Sequence, residues 1–152
     1  MLNGNKRETG RLAEDSVRHR HVQNRAYAAG EPGSLGQRRE IYVLVRGISE
    51  RLTVIPGLSA YVGRFHPLNR VELQLDLTPY GVERYGISRV HACFDLDYAG
   101  RLYLTDMNSS NGTIVAGKRL RPYMPVVLHH GDEVVFGSLL VKIRFAADRT
   151  NV

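Results

Sequence analysis

From Ile41 onward the chain runs in short apolar or alternating stretches, broken by turn residues at intervals of about 8 to 15 positions, with no helical period. This texture constrains the fold more than any other feature. An alternating strand has one face to bury and needs a second sheet to bury it against. Leu73, Leu75 and Leu77 supply such a face, while Gln74 and Asp76 occupy the other. Ten strands are expected: Ile41 to Arg46, Leu52 to Ile55, Ser59 to Gly63, Val71 to Leu77, Val90 to Asp95, Leu102 to Asp106, Thr113 to Val115, Val126 to Leu128, Glu133 to Phe136 and Leu139 to Phe145. Turns are expected at Pro56-Gly57, Tyr98 to Gly100, Asn111-Gly112, Ala116-Gly117 and His129 to Asp132. The fold class implied is all-β, an antiparallel sandwich.

Residues 1 to 40 read differently. They are polar, carry Gly4, Gly10, Gly30, Gly33 and Gly36, and have few β-branched or aromatic residues. A helix over Leu12 to Tyr27 would have too few apolar positions to bury a full face. The expected organisation is a flexible basic N-terminal tail over 1–40, a β domain over 41–146 and a short C-terminal tail over 147–152.

The net charge of +6 invites a nucleic-acid reading, but it is spread along the chain. Residues 1 to 40 hold 8 basic and 5 acidic residues and the remainder 13 and 10, a balance of +3 in each part, with no dense basic block. Such a balance suits an acidic or phosphorylated protein partner equally well. The apolar runs are too short to span a membrane and the N-terminus lacks a signal-peptide core, so a cytoplasmic protein is expected. The one cysteine, Cys93, lies in an alternating stretch and is expected to be a buried thiol.

Three short segments carry the chemistry. Gly63-Arg64 ends a strand, Ile87-Ser88-Arg89-Val90-His91 precedes another, and Asp106 to Thr113 makes a turn rich in Ser and Asn. Taken alone, the last is a tight turn with Gly112 at a position tolerant of positive φ. Together they offer a guanidinium able to grip an oxyanion as a fork, two hydroxyls able to donate to it, and an amide able to read a backbone. Ser88 and His91 do not suit a nucleophile and base, since residues three apart on an extended chain face opposite ways. His129-His130 and His19-x-His21 lack the companions of a metal site, and no phosphate loop, catalytic carboxylate pair or activated nucleophile is present. Neither metal nor cofactor is expected, and no enzymatic activity.

Over about residues 41 to 146 the chain resembles the forkhead-associated (FHA) domain, of the small bacterial type. The resemblance rests on the three segments above, on Gly117-Lys118-Arg119-Leu120, and on His130-Gly131-Asp132-Glu133-Val134-Val135-Phe136-Gly137. It implies an eleven-stranded sandwich whose loops at one end bind a phosphothreonine peptide. It implies further that Arg64 binds the phosphate, that Ser88 donates its hydroxyl and backbone amide to it, and that Arg89 adds positive charge at the rim. Ser110 would touch the phosphothreonine where threonine is commoner, Asn111 would bond the peptide backbone, and Gly63, His91 and Gly112 would support the site. The missing methyl at Ser110 is worth roughly 0.8 kcal/mol, enough to tune affinity without abolishing it.

The connection Thr78 to Gly86 is longer than in many members and should border the residues after the phosphothreonine. Where some members place a selecting arginine, two positions before the serine, this chain has Gly86, leaving Arg84 or Tyr85 as candidates. Small bacterial members also suggest docking of a phosphorylated tail; Thr9 is the only threonine before Thr53, but Arg7, Glu8 and Arg11 do not match the acidic tails of those members. The partner implied is a phosphothreonine-containing protein in a Ser/Thr kinase pathway. The alternatives are a nucleic-acid-binding protein using the basic tail and face, for which an exposed aromatic series is lacking, and a phosphate-independent module that self-associates through sheet edges.

Overall fold

The computed structural model describes residues 34–148. The helix weighed over Leu12 to Tyr27, Thr9, and His19-x-His21 lie outside the described residues. Eleven strands form two sheets. One sheet contains β1 (Glu40–Val45), β2 (Ile48–Thr53), β7 (Thr113–Val115), β8 (Lys118–Arg119), β10 (Glu133–Phe136) and β11 (Leu139–Phe145), ordered β2-β1-β11-β10-β7-β8. The other contains β3 (Ala60–Gly63), β4 (Leu73–Asp76), β5 (Ala92–Leu96), β6 (Leu102–Asp106) and β9 (Val126–Val127), ordered β4-β3-β5-β6-β9.

The period-two pattern is converted directly into burial. In β1, Ile41, Val43 and Val45 have no exposure, and in β11 Val141 and Ile143 do the same opposite them. These meet Val62, Ala92, Phe94, Leu102 and Leu104 of the second sheet in one core. Each fully buried aliphatic or aromatic side chain contributes about 1.5 to 3 kcal/mol, so the sandwich is held mainly by these inward rows. The second sheet's central strands are buried on both faces: Cys93 hydrogen-bonds through Sγ to Asp95 Oδ2 at 3.3 Å, and Ser59 Oγ donates to Asp95 Oδ1 at 2.6 Å.

Four details depart from the sequence pattern. All strand pairs are antiparallel except β3 with β4, which run parallel because the chain crosses from one to the other through residues 64–72. β8, two exposed residues, has no apolar alternation to reveal it. A 3-10 turn at Thr78–Tyr80 and a four-residue helix α1 (Val82–Tyr85) interrupt a region expected to lack helix; both are too short to show a period. Residues 34–40, assigned to the tail by composition, are attached to the domain: Leu35 is buried, its N–H donates to Gly100 O at 2.6 Å, and Arg39 O accepts from Val54 N at 2.8 Å. One apolar residue in a polar run gives no periodic signal. No helix of the described residues is long and apolar enough to cross a membrane.

Candidate functional site

The connections 64–72, 78–91 and 107–112 converge at one end of the sandwich and enclose an open cleft of about 930 Å³. Arg64, Ser88, Arg89, Ser110 and Asn111 all line it, so the structure brings the five candidate side chains together from three separate stretches.

Arg64 follows β3 directly. Gly63 has to be glycine, since a Cβ there would stand 2.1 Å from the Arg89 carbonyl oxygen. This close approach lets the Arg64 N–H donate to Ser88 O at 3.2 Å and brings the Arg64 side chain against Ile87, whose carbonyl accepts from Nε at 2.9 Å. Nε is thereby anchored. Among the described residues no hydrogen bond or ion pair engages the terminal guanidinium nitrogens, which are the pair able to grip an oxyanion side by side.

His91 is fully buried at the base of two loops. Its Nδ1 accepts the Ser88 N–H at 3.0 Å, and the Gly112 carbonyl lies 2.9 Å from Nε2. Because the Ser88 amide can only donate, Nδ1 must be the bare nitrogen and Nε2 must carry the proton to Gly112. Burial pulls the imidazole below its ordinary value of 6.5, opposed by the Gly112 carbonyl and by the charge of Asp106. The ring also meets Phe136 edge-on, with centroids 5.6 Å apart. The Ser88 amide, assigned to phosphate by resemblance, is thus already engaged by His91, leaving the hydroxyl as that residue's available donor. Gly112, at φ 84°, does more than form the turn, since its carbonyl holds His91.

The 107–112 loop closes on the same point. Ser110 N–H donates to Ser88 Oγ at 3.0 Å, and Asn111 Nδ2 donates to Gly86 O at 2.9 Å. Beneath them Asp106, almost fully buried, accepts from Ser109 N at 3.1 Å, Ser109 Oγ at 2.5 Å and Thr113 Oγ1 at 2.6 Å. Asp106 and Ser109 were not singled out from sequence. Their signal was present as an aspartate three residues before a serine, the mark of a side chain folding its own turn.

Sequence reasoning also missed Asn69. Its Nδ2 donates to the carbonyls of Arg64 (3.1 Å) and Arg89 (3.4 Å), tying the 64–72 loop to the segment after Ser88. On the opposite wall, Val82, Glu83 and Gly86 line the cleft, whereas Arg84 and Tyr85 do not. The Arg84 guanidinium lies 5.9 Å from the Tyr85 ring centroid. His129 Nδ1 stands 3.7 Å from Asp132, and His130 Nδ1 accepts the Phe145 N–H at 2.9 Å. Among the described residues no three His, Cys, Asp or Glu side chains are grouped for a metal.

The family model of the FHA domain matches residues 61–137, about half of the chain and all of the loops just described. The chain belongs to the FHA-domain family. Over 51 residues the chain is 43% identical to the E3 ubiquitin-protein ligase rnf8 of Danio rerio (34% of this chain, 10% of that protein). Another 65-residue match is 42% identical to the human angiogenic factor with G patch and FHA domains 1 (40% and 9%). The chain spans about a tenth of the length of these curated relatives. Among solved structures, the MEK1 FHA domain in complex with the HOP1 pThr318 peptide has a TM-score of 0.55 and 24% identity, covering 70% of this chain and 97% of that one.

Proposed function

We propose that this protein is a non-catalytic adaptor that binds a phosphothreonine segment of a protein partner and acts downstream of a Ser/Thr kinase. The observation that carries the reading is the anchored Arg64: Nε is held by the Ile87 carbonyl, and the residue lines a cleft shared with Ser88, Ser110 and Asn111. In this reading Arg64 grips the phosphate as a fork, the Ser88 hydroxyl donates to it, and Arg89 adds charge at the rim. Asn111, with Nδ2 steadied by Gly86, offers its remaining amide capacity to the peptide backbone, and Ser110 borders the threonine methyl. Gly63, His91 and Gly112 hold these groups in place. The phosphothreonine peptide bound by the similar MEK1 domain supports the ligand class.

Calorimetric titration with one phosphothreonine peptide and its unphosphorylated form tests the proposal. The phosphorylated peptide should bind and the other should not. Charge-assisted hydrogen bonds are worth roughly 1.5 to 3 kcal/mol each, so Arg64→Ala should weaken binding more than tenfold while the domain stays folded. Equal affinities of the wild type and Arg64→Ala would remove Arg64 from the site.

A further inference from the structure

The same cleft holds more positive charge than one phosphate requires. Arg64, Arg70 and Arg89 all line it, and the single acid among its lining residues, Glu83, is carried by α1 on the other wall. One amide ties the backbones of two of them: Asn69, next to Arg70 in the chain, donates to the main-chain carbonyls of both Arg64 and Arg89. Arg70 and Arg89 are exposed, and no hydrogen bond or ion pair among the described residues engages either guanidinium. The imidazole of His66 senses the field from within the same loop. It is held below its ordinary value first by loss of solvent and then by the charges of Arg89 and Arg64. A phosphothreonine brings a charge of about −1.5 to −2, against three guanidiniums on this flank.

We propose that Arg70, linked to Arg89 through Asn69, forms a second anion subsite in the cleft, taking an acidic or second phosphorylated side chain of the same peptide. This rests on the phosphopeptide reading above. Arg64 already has its Nε fixed at Ile87 and serves the first phosphate, whereas the exposed Arg70, six residues on in the same loop, has no such anchor. A group bound there is therefore a neighbouring residue of the ligand, and the preference belongs to the arginine flank, separate from the Val82 and Glu83 wall.

The test is a calorimetric series on the full chain. A phosphothreonine peptide with alanine flanks is compared with versions in which glutamate is walked through the flanking positions, and with one carrying a phosphoserine at the best position. At low salt one glutamate position should tighten binding about three- to fivefold, the range of a partly exposed ion pair, and the second phosphate should gain roughly tenfold. Both gains should shrink as salt is raised. Arg70→Ala should erase them while leaving the alanine-flanked peptide within about twofold of wild type, and Arg70→Glu should reverse the preference. A gain at neither glutamate nor phosphoserine, or a gain that survives both substitutions, would overturn the subsite while leaving the first reading standing. Loss of all phosphate-dependent binding in the wild type would overturn both.

Discussion

The two walls of the cleft are built on opposite principles. The 107–112 loop is organised from its own base, where Asp106 collects three hydrogen bonds from Ser109 and Thr113, and Gly112 N–H donates to Ser109 Oγ at 3.0 Å. The 78–86 insertion is tied to distant elements. Tyr80 OH hydrogen-bonds Glu50 of β2, and Arg46 lies 5.9 Å from the Tyr85 ring centroid. Ser138 N–H donates to Tyr85 O at 2.9 Å, while Asn111 reaches Gly86. A locally satisfied loop holds its shape wherever its strands end. A loop satisfied at a distance holds its shape only while the whole sandwich is assembled.

Of the substitutions that probe this contrast, Asp106→Ala has the largest effect. It strips a fully buried Thr113 hydroxyl and the Ser109 hydroxyl of their shared acceptor, and should cost about 3 to 4 kcal/mol in urea unfolding. Amide exchange should quicken over 106–113 first; uniform quickening along the chain would contradict a locally built wall. The complementary substitution is Gly137→Ala. A Cβ at this position, with φ +62°, would lie 2.3 Å from the Tyr85 carbonyl oxygen, so α1 must shift or the turn must strain. The expected loss is about 2 kcal/mol, with faster exchange confined to 78–86. Peptide affinity should fall as well, because Gly86 is the acceptor for Asn111.

Acid is the mildest perturbation. The folded imidazole of His91 lies below 6.5 because burial outweighs the Gly112 carbonyl and Asp106. As pH falls from 6.5, the unfolded chain takes up the proton first. His91's contribution to stability is therefore complete above 6.5 and is lost as pH falls through the lower folded value. The difference in unfolding free energy between wild type and His91→Gln should accordingly shrink between roughly pH 8 and 5. A difference that grew toward acid would mean that the folded chain favours the imidazolium, and would overturn the role of Nδ1 as acceptor of the Ser88 N–H.

The contrast also explains what was legible. Alternation exposed β1, β10 and β11, whose apolar rows face the core, and the segments bearing Arg64, Ser88 and Asn111 stood at strand ends where side chains can converge. The start of β2 was missed because Ile48 to Arg51 pairs through its backbone at a sheet edge and presents no apolar face. Asn69 and Arg70 sit in an irregular loop with no periodic signal. Their importance depends on the Arg89 carbonyl, 20 residues away in the chain for Asn69. The partner of Ser88's amide was hidden in the same way, since hydrogen-bond allocation is settled by packing after residue types have been chosen.

His91 has one further consequence. Its two nitrogens hang Ser88 and Gly112 on a single rigid ring, and Ser110 returns from the second loop to the Ser88 hydroxyl. The two loops thus form a closed circuit, with Ser88 and Gly112 held at a common ring. An incoming ligand meets one jaw already set, so the entropy of aligning its separate contacts is removed when the chain folds, before any encounter.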